Sequence, residues 1–213
     1  MIKGAYLQYG CGFDAPEGWL NFDASPSLRI ERIPVIGKSL SMLLKSNSEL
    51  FPDAVQYGDI VKGLPVEPGR CSVVYCSHVL EHLSLEDFRI ALDSTYKLLE
   101  SGGTFRLVLP DLAFYIREYQ ASGSPTAALD FMRKSGIGEE RRNRGMRGFA
   151  REFLGNSKHR WMWDYQSIAE ELKNCGFLDV RRAEFGDSVD PRLREVERRE
   201  RWENCLGVEC KKR

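Results

Sequence analysis

Seven short apolar runs rich in β-branched and aromatic residues constrain this chain more than any other feature. They are AYLQY (5–9), WLNF (19–22), AVQY (54–57), CSVVYC (71–76), TFRLVL (104–109), DVRRAEF (179–185) and CLGVEC (205–210). Each has the length of a strand, and several are separated by helix-length segments, a pattern that predicts an α/β domain on a mostly parallel sheet. The clearest helix is expected over 85–99. Ser84 can cap it with Asp87 closing an S-x-x-D box, and Leu85, Phe88, Ala91 or Leu92, Tyr96 and Leu99 mark one apolar face. Gly102-Gly103 is expected to end this helix and turn the chain into the next strand. A second helix should follow Asp164, run through Ile168 and Leu172, and stop at Gly176.

At 213 residues the chain is long enough for one domain over 1–213, a size at which about 70% of the unfolded surface is buried. It carries 31 basic and 31 acidic side chains, which argues against a broad phosphate-binding face and hence against a nucleic-acid partner. The first apolar run is too short for a signal-peptide core, and no stretch reaches the ~20 apolar residues of a membrane span, so a cytoplasmic protein is expected. Six cysteines (Cys11, Cys71, Cys76, Cys175, Cys205 and Cys210) sit mostly in apolar runs without a C-x-x-C pair. They read as reduced thiols packed in the core.

Between the strand ending at Leu109 and the helix after Asp164 lies a long segment, 112–163, with no strand pattern. LAFYIREYQ and TAALDFMRK read as two short helices, and residues 133–160 then carry nine basic against three acidic side chains. This stretch is either a solvated loop or a lid whose charge suits an anionic substrate.

The first strand runs into Gly10-Cys11-Gly12, the position in an open parallel sheet where the backbone turns tightly and approaches a ligand. Residues 10–15 also satisfy G-x-G-x-x-[G/A], but Pro16 and Gly18 interrupt the helix that a bound pyrophosphate needs. Asp23 also follows too soon, only 11 residues after Gly12. A ligand without phosphates fits better, with the Asp23 carboxylate accepting from two ribose hydroxyls. The competing reading makes Asp23 a turn residue before ASPS.

LQYGCG, GWLNFD, YGDI, SHVLEHL, LLESGGTFRLVLPDL and KHRWMWDYQSIAEELKNCGF together resemble class I S-adenosylmethionine-dependent methyltransferases of the type 11 kind. The resemblance is strongest to a small bacterial subgroup associated with cell-surface polysaccharide genes, and it covers residues 4–211. It implies a Rossmann-like, three-layer αβα fold with a seven-stranded, mostly parallel sheet, one antiparallel strand, and 112–163 as a lid-like insertion after strand five. The implied cofactor is S-adenosylmethionine. Gly10, Cys11 and Gly12 would pass under its methionine part, Asp23 would hold the ribose, and Asp59 with the Ile60 backbone would meet the adenine. Ser77 and His78 would line the methionine end through backbone groups. One departure is that only residues 13–20, without a full helix, separate the glycine loop from NFD.

The chemistry then asked of the protein is alignment of a nucleophile with the methyl group and, for an alcohol, a general base. His82 is the first candidate base, beside Glu81. Asp111 of LPDL and His159 of KHRWMWD follow, with Trp161 and Trp163 as an apolar or sugar-stacking wall. Each has a structural reading too: His82 holding a turn, Asp111 capping a helix, His159 exposed, the tryptophans in the core. HVLEH also spells the H-x-x-E-H pattern of some zinc peptidases. That site needs both histidines on one face of a continuous helix, whereas His78 and His82 are expected to straddle a strand-to-helix turn, so no metal is expected. The expected activity is O-methylation of a saccharide, a nucleotide sugar or another small molecule. The alternatives are RNA methylation or a non-catalytic cofactor-binding partner protein.

Overall fold

The computed structural model describes residues 4–37, 50–140 and 158–213. Its elements in chain order are β1 (Ala5–Tyr9), β2 (Trp19–Asp23), α1 (Pro26–Glu31), β3 (Val55–Tyr57) and β4 (Cys71–Ser77). There follow a 3-10 turn (Leu80–His82), α2 (Leu85–Leu98), β5 (Leu99–Pro110), α3 (Leu112–Ala121) and α4 (Ala127–Lys134). The chain closes with α5 (Tyr165–Asn174), β6 (Phe177–Ala183), 3-10 turns at Pro191–Glu195 and Arg199–Arg201, and β7 (Cys205–Lys212). The strands form one seven-stranded sheet in the order β3-β2-β1-β4-β5-β7-β6. All neighbours are parallel except β7, which runs antiparallel to both β5 and β6. This is the Rossmann-like sheet expected above, with the crossover from β1 to β4 opening a crevice at the carboxyl ends of the strands.

Strand alternation separates the two faces. Leu7, Tyr9, Val74, Cys76, Phe105, Leu107, Val208 and Cys210 point into the larger core, where α2 contributes Phe88, Ala91 and Leu92 and α5 contributes Ile168 and Leu172. Residues of the other parity, Trp19, Val73, Tyr75 and Val108, meet Leu193 and Val196 from the 3-10 strap that follows β6. That face also carries Arg106, fully buried on β5. Arg106 donates to Glu197 at 2.6 Å and to Glu209 and Asp187 at 2.9 Å, and it lies 4.7 Å from the Trp202 ring.

The local signals hold with two adjustments. Ser84 caps α2 by accepting from Asp87 N–H, and Asp164 and Ser167 form a reciprocal capping box on α5. Helix α2, however, ends at Leu98, before the glycines, because Leu99 already pairs with Cys71. Gly102-Gly103 instead lies in a bulge of β5, with Gly102 at φ 78°, where pairing jumps from Leu99 to Thr104. Strand β6 starts two residues earlier than expected, because Phe177 is buried against Phe105 and Tyr96. The two short helices of the 112–163 segment are α3 and α4, but 141–157, which hold much of its basic charge, lie outside the described residues. No helix among the described residues is long and apolar enough to cross a membrane.

Candidate active site

The crevice holds a cavity of about 660 Å³ lined by Gly10, Asp23, Asp59, Ile60, His78 and His82, together with Val79 and Arg160. Its floor is the glycine loop. Gly10 has φ 69° and Gly12 φ 57°, both left-handed values that glycine adopts without strain. A Cβ on Gly10 would stand 2.0 Å from Val79 Cγ2, so β1 and the turn after β4 pack directly together here. Cys11 is buried and does not line the cavity; its N–H donates to the Phe22 carbonyl. Burial first, and the Asp23 charge second, push its thiol up to about 12, so it stays a thiol at neutral pH.

Asp23 links the loop to β2. Oδ2 accepts from Gly12 N–H at 2.9 Å and Oδ1 from Ser25 N–H at 2.7 Å. Each oxygen keeps a second acceptor site, and the residue faces the cavity, which suits a pair of vicinal hydroxyls. Asp59 is fixed in the same way: Oδ1 accepts from Val61 N–H at 3.0 Å and Oδ2 meets Lys62 Nζ at 3.0 Å. Ile60, nearly fully buried, forms the apolar wall beside it.

Beyond Ser77 the chain turns through His78 at φ 55°. Ser77 is buried and lies outside the cavity lining. The His78 N–H is held by the Val108 carbonyl at 2.9 Å, so its backbone contribution to a ligand reduces to its carbonyl. Its ring is bracketed by acceptors, Nε2 at 2.9 Å from the Arg201 carbonyl and Nδ1 at 3.2 Å from Glu81 Oε1. Burial works against charging the ring. The contacts to the Cys205 thiol, Glu81 and the Arg201 carbonyl outweigh it and hold the pKa up to about 10. His78 thus stands as a cation beside the fully buried Glu81, 3.2 Å from its Oε1.

His82 and His159 come together from distant segments, with ring centroids 5.1 Å apart. His82 Nδ1 donates to the Lys158 carbonyl at 2.9 Å and His159 Nδ1 to the Ser135 carbonyl at 2.6 Å. A carbonyl only accepts, so both Nδ1 atoms carry a proton, and His82 Nε2 lies 4.0 Å from Glu81 Oε1. His82 lines the cavity and His159 stands behind it. Glu81, His82 and His159 bring one ligand atom each within 4.8 Å of one another. The H-x-x-E-H reading does not describe this arrangement, since His78 is itself left-handed at φ 55°, His82 ends a 3-10 turn and the His78 ring faces Arg201.

The remaining candidates lie elsewhere. Asp111 caps α3 by accepting from Ala113 N–H at 2.9 Å, is buried, and does not line the cavity. Trp163 is a core residue 4.2 Å from Phe88, whereas Trp161 is 42% exposed. Two residues that the sequence did not single out belong to the site's surroundings. Arg160 lines the cavity, its N–H held by the Glu81 carbonyl at 2.7 Å. Arg201 stands beside Gly12. Neither sits in a recognisable motif; KHRW offered only a position next to His159.

The sheet order and the glycine loop at the end of β1 define the fold of a class I S-adenosylmethionine-dependent methyltransferase. Residues 7–107 match the family model of a methyltransferase domain. No curated protein matches the chain in sequence. Among solved structures, a methyltransferase of Thermotoga maritima, described as a possible histamine N-methyltransferase, is similar with a TM-score of 0.50. It is 16% identical, over 100% of this chain and 84% of that one. A methyltransferase of Archaeoglobus fulgidus gives 0.50 at 15% identity, over 99% and 86%. YcgJ of Bacillus subtilis gives 0.50 at 13%, over 99% and 94%. Likeness at these identities is likeness of fold. The chain spans only about half of some structures it matches, 50% in the case of PigF.

Proposed function

We propose that the chain methylates a hydroxyl of a saccharide or another small molecule, using S-adenosylmethionine. When bound, the cofactor supplies a methyl group on a sulfonium, already a strong electrophile. Asp23 holds the ribose with its remaining acceptor sites, Asp59 and Ile60 form the adenine end, and Gly10 lets the backbone pass beneath the sulfur. His82 receives the proton of the acceptor hydroxyl at Nε2. The observation that carries this reading is the placement of His82: a cavity-lining imidazole whose Nδ1–H is committed to the Lys158 carbonyl, with Nε2 4.0 Å from the Glu81 carboxylate. His159, whose Nδ1–H is likewise committed to a carbonyl, that of Ser135, stands beside it. Asp111 acts in this scheme through α3, which it caps, and 112–163 covers the acceptor.

A saccharide fits the exposed Trp161 near the end of that segment, since an indole face stacks on a sugar ring. An acceptor carrying phosphate, such as a nucleotide sugar, fits Arg160 in the cavity wall. Six cysteines without a disulfide suit a reducing, cytoplasmic setting. The test has two parts. Calorimetric titration with S-adenosylhomocysteine, NAD and zinc should give binding of the first; binding of NAD alone would overturn the cofactor reading. Transfer of labelled methyl should then be measured on sugars, nucleotide sugars, amines and RNA. Transfer to amines or RNA and not to sugars would overturn the acceptor class.

A further inference from the structure

The groups described so far receive a nucleoside and a sulfur centre, whereas the cofactor also ends in an α-carboxylate. Arg201 lies where that group needs a partner. Its backbone is fixed from two sides, by His78 Nε2 on its carbonyl at 2.9 Å and by its own N–H on the Arg198 carbonyl at 2.9 Å. Arg198 in turn meets Asp14 Oδ1 at 2.7 Å, so this turn is strapped across the glycine loop. The Arg201 guanidinium rests on the loop, with Nη2 3.9 Å from where a Gly12 Cβ would lie. Burial raises the pKa values of Cys11, Tyr75 and Cys76, and the Arg201 charge opposes each rise, which locates it at the carboxyl ends of β1 and β4.

The side chain is half-buried, yet among the described residues it makes no hydrogen bond and no ion pair. Two other arginines of the strap are paired, Arg192 with Glu195 and Arg198 with Asp14, and Arg199 lies over the Phe185 ring. Arg201 does not itself line the cavity, but it stands beside Gly12, and its carbonyl contacts the ring of His78, which does. A partly desolvated cation without a counter-ion is costly, and a guanidinium fork matches a carboxylate in both charge and shape. Resting on the cofactor reading above, we propose that Arg201 binds the α-carboxylate of S-adenosylmethionine.

Two probes isolate this contact. S-adenosylhomocysteine carries the amino-acid carboxylate, and 5′-methylthioadenosine keeps the nucleoside and thioether without it. Calorimetric titration of the full chain should show S-adenosylhomocysteine binding more tightly. In Arg201→Ala its affinity should fall by about tenfold or more, towards that of 5′-methylthioadenosine, whose own affinity should stay unchanged. Arg201→Lys, which keeps the charge and loses the fork, should fall in between. Equal weakening of both probes, or none, would overturn the assignment, and the 5′-methylthioadenosine arm separates loss of the contact from loss of the fold. If the wild-type chain binds neither probe, the cofactor reading itself fails, and Arg201 with it.

Discussion

His82 Nδ1 donates to the Lys158 carbonyl at 2.9 Å, joining the turn after β4 to the chain as it returns from the 112–163 insertion. In the proposed scheme the base is therefore aimed by the same segment that covers the acceptor. His82→Ala should slow methyl transfer by about 100- to 10,000-fold, the usual span for a lost general base, with little change in S-adenosylhomocysteine affinity. Single-turnover transfer combined with calorimetry checks both halves. Unchanged turnover would remove His82 as the proton acceptor.

Asp23 holds two backbone N–H groups while facing the cavity. Asp23→Ala frees both donors and removes the ribose acceptor, so S-adenosylhomocysteine affinity should fall by about tenfold or more. Asp23→Asn should lose less, since one oxygen survives. Equal affinity in all three proteins, measured by titration, would place the ribose elsewhere.

Gly10 is constrained twice, by its φ of 69° and by Val79 Cγ2, which lies 2.0 Å from where a Cβ on this residue would stand. Gly10→Ala should cost roughly 1–3 kcal/mol from the left-handed backbone alone, with steric overlap added. Pairing it with Val79→Ala should restore the steric part and leave the backbone part. Urea denaturation of the two single variants and the double variant measures the coupling; strict additivity would mean that the two sites do not touch.

Arg106 gathers Glu197, Glu209 and Asp187 beneath the sheet. Arg106→Met leaves buried carboxylates without their cation and should destabilise the fold by about 3–5 kcal/mol. Adding Glu197→Gln should recover part of the loss. Denaturation midpoints that do not move would show the cluster to be energetically neutral.

His78 gives the fold a pH dependence of definite sign. Its folded pKa, about 10, lies above the ordinary 6.5, so the charged form stabilises the fold fully below 6.5, and that contribution fades as pH rises through 10. The stability difference between wild type and His78→Asn should therefore shrink between neutral pH and about pH 10. Asparagine is chosen because it tolerates the φ of 55°. A difference that stays constant over that range would place the His78 proton elsewhere.

Local patterns made much of this legible. Strand alternation, the cap at Ser84, the helix start at Asp164 and the glycine loop all rest on residues within a few positions of one another. The Nδ1 hydrogen bonds of His82 and His159 were not readable, because their partners come from Lys158 and Ser135. The run DPRLREVERRERW has the composition of a solvated surface. It folds instead as a strap, since Tyr6, Asp14 and Trp19 supply partners that no window along the chain contains. Arg106 escaped notice for the same reason, as a single charge in a strand whose counter-ions follow Ala183.

That strap also orders events in time. Its bonds Asp190–Tyr6, Glu195–Trp19 and Arg198–Asp14 span 184, 176 and 184 residues. A ribosome therefore completes the glycine loop long before it makes what closes over it, and contacts of such range form late. The nascent chain would pass most of its synthesis with β1 and β2 present but the cofactor crevice still open at one end.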